Sequence, residues 1–246
     1  MVLPRTLAIA LALLCASHPP LAVRAQTGSN ELELLRLQQQ LRQVWLQEPL
    51  TAQRPFPALQ RVAGPGDPPC TGPFSAAAPL LQVCAAGGEI RLDGQQLAAL
   101  QQMFGEGGVA FALAYGLGLA LVPPQPPGAP GPQATAGLQA ACAAGSLLGR
   151  LPQAQNQVWI QRALDAAAQA YGSAAAGQLG TGPQRAYALA SGLGATELAC
   201  SGSAMARLAS GALDAEAADW LRTRGPSVGL DILCRQPPAC PRGLGL

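Results

Sequence analysis

The chain has 246 residues, 49% of them hydrophobic, 11% charged and 4% aromatic, with a formal net charge of +2. Its fifteen basic residues are all arginine and lie scattered, so there is no basic footprint for a nucleic-acid partner, and that class of function is excluded. The one histidine is His18, close to the N-terminus, which leaves most of the chain without an imidazole for catalysis or metal binding.

Residues 1–25 have the pattern of a secretory signal. Arg5 supplies the positive start, LAIALALLCA (7–16) the apolar stretch, and Val23-Arg24-Ala25 a small-x-small cleavage site. Cleavage after Ala25 is expected, with an exported (periplasmic or extracellular) protein as the outcome. The apolar run is short for a membrane span of ~20 residues, so a membrane enters only if this segment stays uncleaved. Cleavage removes His18 together with Arg5 and Arg24, and the thirteen remaining arginines balance thirteen acids. The roughly 220 residues left suffice for one sizeable core. Six cysteines stay with them: Cys70, Cys84, Cys142, Cys200, Cys234 and Cys240. An even number in an exported chain reads as disulfides, and the close Cys or Cys/His pairs of a zinc site are missing. Their pairing is left open by the sequence.

Asn30 followed by Glu33 predicts an N-cap and the start of a helix through about Gln47. Leu34, Leu37, Leu41 and Val44, with Leu35 and Trp45, form its apolar stripe. The stripe suits a helix lying on its own domain, or a seam to an unknown protein partner through residues 30–47. Residues 49–76, rich in Pro and Gly, read as an extended connector, and GGEIRLD (87–93) as a strand preceded by a turn. A helix over 94–105 closes at Gly105. GGVAFALAYGLGLALVPP (107–124) then forms a helix apolar on all sides, the buried centre of a domain, with Gly116 and Gly118 allowing close approach of neighbouring helices. After a loop reaching residue 137, helices are expected over 138–151, 156–177 and 182–195. The tail from about residue 210 ends in CRQPPAC, which a Cys234–Cys240 bond would close into a small loop. The fold class is mainly α, with a small strand element, stapled by disulfides. Its expected divisions are the signal (1–25), an N-terminal helix and connector (26–66), a core (67–209) and a C-terminal tail (210–246).

Several landmarks come in a familiar order: Cys70-Thr-Gly-Pro-Phe74, Cys84, IRLD ending at Asp93, MFG at 103–105, FALAY at 111–115, LQAACAAG at 138–145, Gln184-Arg185 and Ala199-Cys200. Over residues 70–201 the series resembles the bacterial neutral zinc metallopeptidase family, a zincin-like group. The resemblance implies a helical core with a zinc site on its central helix. That chemistry needs two imidazoles a helical turn apart, an adjacent Glu as general base and a third protein ligand. Matching on FALAY puts the two His at Leu119 and Pro123 and the Glu at Ala120. Matching on the inner glycine gives Tyr115, Leu119 and Gly116 instead. The third-ligand Glu falls on Gly137, and the Asp before the family's Cys on Ala141. In either register, then, the ligands and the base are replaced.

Other chemistries lack their partners as well. Ser146, Ser173 and Ser203 have no His or Lys to activate them, and a cysteine nucleophile has no imidazole. GEGG (105–108) lacks the Lys and the spacing of a phosphate-binding loop. The carboxylates Glu89 and Asp93, and Asp214, Glu216 and Asp219, could supply an acid pair but read as solvated surface. Arg185 reads as pairing with a carboxylate or capping carbonyls. The expectation is an exported protein on a metallopeptidase-like scaffold, without catalytic, metal-binding or cofactor-binding residues and with a binding or structural role. An active exported hydrolase with an atypical site and a structural envelope protein are the other two readings.

Overall fold

Asp93 is the hinge between the two kinds of structure in this chain. It is the last residue of a strand, and its side chain accepts hydrogen bonds from the backbone N–H groups of Gln95 (2.8 Å) and Gln96 (2.9 Å), capping the longest helix. The computed structural model describes residues 21–49, 51–62, 80–84, 88–122, 132–171 and 176–224, with backbone alone at 21–30, 176 and 224. Two compact units divide the chain, Met1–Arg36 and Leu37–Leu246.

Helix α1 (Leu21–Gln47) ends where the sequence places its end but begins earlier. Asn30 is an interior helical residue and not the expected N-cap. No proline interrupts residues 21–29, and the single Gly28 costs a helix only about 1 kcal/mol. Leu37, Leu41, Val44 and Trp45 of the stripe are buried; Leu35, expected beside them, is exposed.

Within the segment read as connector lies a strand, β1 (Ala58–Val62). It pairs in parallel with β3 (Glu89–Asp93), Ala58 opposite Glu89, and β2 (Leu81–Cys84) pairs antiparallel on the other side of β3, giving the order β1-β3-β2. The predicted strand is thus the centre of a three-stranded sheet. Ile90 and Leu92, alternating on it, are fully buried, as the period of two requires.

Helix α2 (Gly94–Leu121) contains the long apolar run. Its regular geometry is broken at Gly105, where φ is +60°, a value that costs little only without a Cβ; this is the stop that the sequence marks. Past it, every residue from Gly107 to Leu119 is buried. By length and composition α2 could cross a membrane, yet 78% of its apolar stretch is buried inside the chain. Gly118 lets helix α3 (Thr135–Leu148) approach, since a Cβ there would lie 2.2 Å from the Ala140 carbonyl oxygen. Gly116 faces the sheet instead, against Ile90 and Leu81.

The remaining helices are α4 (Gln157–Gln169), α5 (Ala176–Leu179), α6 (Gly182–Gly192), α7 (Gly202–Ala209) and α8 (Asp214–Arg224), with a 3-10 turn at Pro152–Gln155. α3 starts at Thr135, inside the expected loop, and α4 is shorter than the expected 156–177. Asn156 caps α4. Thr181 and Gln184 form a reciprocal capping box on α6. α7 and α8 were not expected; Ser201 caps the first, and Asp214 and Glu216 lie in the first turn of the second, where acids suit the helix dipole. Cys142 and Cys200 form a disulfide with a Cα–Cα distance of 5.6 Å. Cys84 is disulfide-bonded too. Cys70, Cys234, Cys240, Pro123 and the first twenty residues of the expected signal lie outside the described residues.

The chain is therefore mainly helical, with a small sheet and a disulfide. Its centre depends on backbone-to-backbone contact at Gly118, so Gly118→Ala is expected to destabilise by about 1–3 kcal/mol through overpacking. Melting temperature should fall by roughly 2–4 °C per kcal/mol for a chain of this size. Gly177→Ala, on α5 where a Cβ meets nothing within 4 Å, should not lower it and should raise it slightly, since alanine suits a helix better than glycine; calorimetry of both variants checks this.

Candidate functional site

Of the positions onto which the resemblance would place the zinc ligands and the base, Pro123 lies outside the described residues, Ala120 is partly exposed and the others are buried. Leu119 and Ala141 are buried and apolar, and a Cβ on Gly137 would meet the Leu179 backbone at 2.6 Å. Tyr115 and Gly116 are buried in the same helix. Among the described residues no three His, Cys, Asp or Glu come together.

Tyr115 belongs to a different cluster. Phe111, Tyr115 and Tyr171 follow one another with ring centroids 5.4 and 5.3 Å apart, and the Arg185 guanidinium lies 5.5 Å from the centre of the Tyr171 ring. Arg185 is fully buried. It donates to three carbonyls: Nε to Ala167 (2.8 Å), Nη2 to Ala168 (3.1 Å) and Nη1 to Gly180 (2.5 Å). These groups close the C-terminal end of α4 and the turn into α6, so carbonyl capping, one of the two roles expected, is what this arginine performs. Burial lowers its pKa, with the two tyrosines opposing. Burial raises those of Tyr115 and Tyr171, with Arg185 opposing both. Neither tyrosine hydroxyl has a hydrogen-bond partner among the described residues. Phe111, Tyr115, Tyr171 and Arg185 are all buried, and the hydrogen bonds of Arg185 go to backbone carbonyls.

The carboxylates do not converge into an acid pair either. Glu89 pairs with Arg91 at 2.7 Å, and Asp93 caps α2. Asp214 accepts from Gln184 Nε2 (3.1 Å), Glu216 accepts from the Tyr187 hydroxyl (2.6 Å), and Asp219 pairs with Arg222. Tyr187 is pushed up to about 12, by burial first and by Glu216 next. Ser203 lies beside Ser201 on an exposed turn.

What does open to solvent is a cleft of about 470 Å³ lined by Glu48, Thr51, Arg54, Leu121, Val122, Gln139, Ala143, Ser146, Leu147, Arg150 and Cys200. One wall is a face of α3: residues 139, 143, 146, 147 and 150 recur at spacings of three and four and at the helix's end. The other wall is the turn after α1, and the C-terminal end of α2 lies between them. The turn is fixed from within. Thr51, 1% exposed, donates to the carbonyls of Trp45 and Glu48, Arg54 N donates to Thr51 O (2.8 Å), and Trp45 Nε1 donates to Arg54 O (3.0 Å). Phe56 meets the Trp45 ring edge-on at 5.8 Å. Arg150 Nη2 lies 2.6 Å from Glu48 Oε2, bridging the two walls. Of the residues weighed as chemical groups, Ser146 reaches this cleft, its hydroxyl donating to Cys142 O (3.3 Å). The α3 face could have been found from its spacing; nothing in the sequence brings Arg54 to it. Compared with protein-family models, curated proteins and solved structures, the chain matches none.

Two outcomes follow from the buried charges. Arg185→Ala leaves three carbonyls without a donor and is expected to cost upwards of about 3 kcal/mol in denaturant unfolding, with Arg185→Lys intermediate. Asp165, 3% exposed with Oδ1 unpartnered among the described residues, has its pKa raised by burial against the opposing pull of Arg162. Its charged form opposes folding, a penalty absent below the ordinary carboxylate pKa of about 3.9 and growing as pH rises through the higher folded value. Asp165→Asn is therefore expected to be more stable than the parent at pH 7, and the gain should vanish near pH 3 in the same titration.

Proposed function

We propose that this chain is an exported, non-catalytic protein on a scaffold like that of the neutral zinc metallopeptidases, with a binding role. The observation that carries the reading is the α2–α3 contact. Helix α2, where the zinc-binding imidazoles of such a scaffold would stand, packs against α3 so closely that a Cβ on Gly118 would lie 2.2 Å from the Ala140 carbonyl oxygen, with Leu119 and Ala141 buried nearby. A zincin keeps an open coordination position and a water there. The matching order of landmarks supports the scaffold. FALAY lies on the central helix, Tyr115 and Arg185 share one cluster, and the cysteines of LQAACAAG and Ala199-Cys200 are bonded to each other. Disulfides suit export. With the apolar stripe of α1 buried from Leu37 onward, a protein partner on that helix would use the exposed Leu32, Leu35 and Leu46.

The test is metal content and processing together. The full chain, expressed in an exporting bacterium and dialysed against zinc, should hold less than about a tenth of an equivalent by elemental mass spectrometry, and chelator should leave its melting temperature unchanged. Intact mass should show an N-terminus at Gln26. One tightly held equivalent of zinc would sink the non-catalytic reading, and an intact residue 1 in the exported fraction would sink cleavage.

A further inference from the structure

We infer that the cleft between α3 and the turn after α1 is a binding site for a small amphipathic monoanion, an organic carboxylate with an apolar body. The inference rests on the geometry of the cleft and not on the metallopeptidase resemblance, so zinc in the protein and failure of this ligand to bind are separate results.

Charge comes first. The lining carries two guanidinium groups, Arg54 and Arg150, and one carboxylate, Glu48. Glu48 is engaged by Arg150 at 2.6 Å. Among the described residues the Arg54 guanidinium makes one hydrogen bond, to the Leu121 carbonyl at 3.5 Å, which is the outer limit of such a bond. The C-terminal end of α2 offers that arginine at most about half an elementary charge. The cleft is therefore left with between about half and one uncompensated positive charge. A guanidinium has five N–H donors in a planar fork, so Arg54 keeps a bidentate face for a carboxylate, and Arg150 keeps donors beyond the one spent on Glu48. A doubly charged phosphate would exceed this supply, and a cation would meet the wrong sign.

Shape and polarity come second. Leu121, Val122, Ala143 and Leu147 give the cleft an apolar part beside the arginines, and its volume falls within the range of small-molecule pockets, ~300–1,000 Å³. Such a lining rewards a ligand with a head for the arginines and a body for the leucines. Rigidity comes third. Thr51 and Trp45 lock the turn that presents Glu48 and Arg54, and the opposite wall is a helix tied to Cys200 through Cys142. The site is thus held open before a ligand arrives, which lowers the entropic cost of binding.

The experiment is calorimetric titration of the full chain with decanoate, with decanol and decylammonium as comparisons of equal apolar length. Decanoate should bind with 1:1 stoichiometry, and the two comparisons at least tenfold more weakly. Arg54→Gln should weaken decanoate tenfold or more. Glu48→Gln, which removes the competing carboxylate and frees Arg150, should tighten it. Circular dichroism and melting temperature establish that each variant is folded. If Arg54→Gln proves misfolded, Glu48→Gln and Ser146→Trp, which fills the cleft from the exposed side of α3, decide instead. Equal binding of decanol and decanoate, unchanged affinity in folded Arg54→Gln, or no heat with decanoate at millimolar concentration would each overturn the assignment.

Discussion

Helix α3 is approached on two sides by backbone that carries no side chain. Gly118 of α2 faces the Ala140 carbonyl, and Gly192 of α6 faces the Cys142 carbonyl, where a Cβ would stand at 1.8 Å; α3 answers with its own Gly145 against Leu189 O. Three helices thus sit closer than side chains would allow, and dispersion between backbones replaces the interlocking of large residues. This is how a chain with so few aromatic residues forms a centre at all. Much else is positioned by it: the disulfide from Cys142, the α3 face that walls the cleft, and the seat of Arg185 between α4 and α6.

The buried polar groups are of two kinds. Arg185 is matched to carbonyl ends that would otherwise lack donors, so its burial organises a helix terminus and a turn. Asp165 and the hydroxyls of Tyr115 and Tyr171 have no such match among the described residues, and burial shifts each toward its neutral form. The cleft lined by Glu48, Arg54 and Arg150 lies elsewhere.

The central helix, the strand at 89–93 and the stop at Gly105 could be read from sequence because each depends on local chemistry: an unbroken apolar run, an alternation, a glycine where the backbone turns. β1 could not be read. Its pattern ALQRV has no buried alternation, and its parallel partner lies some thirty residues along the chain, beyond a Pro- and Gly-rich stretch. Asn30 misled in the other direction. It has the chemistry of a cap, but nothing before it stops the helix, and a cap residue without a stop is just a helical residue. α7 and α8 were hidden for a milder reason, since eight- and eleven-residue helices carry few apolar positions to reveal a period. The cleft joins a turn near residue 50 to a helix near 145, a juxtaposition made by tertiary packing alone.

The Cys142–Cys200 bond spans 58 residues of sequence, and the segment it closes carries α4, α5 and α6 with Arg185 and Asp165 among them. Covalent closure of a loop that long removes on the order of 4 kcal/mol of freedom from the unfolded chain, a sizeable share of the 5–15 kcal/mol that typically separates folded from unfolded states. Asp165, whose Oδ1 has no partner among the described residues, and Tyr171 lie within the tethered segment, whereas Tyr115 lies before it, on α2. Robustness in this molecule therefore depends in part on that bond staying oxidised: with the thiols reduced, the same polypeptide would have to support its buried polarity by packing alone.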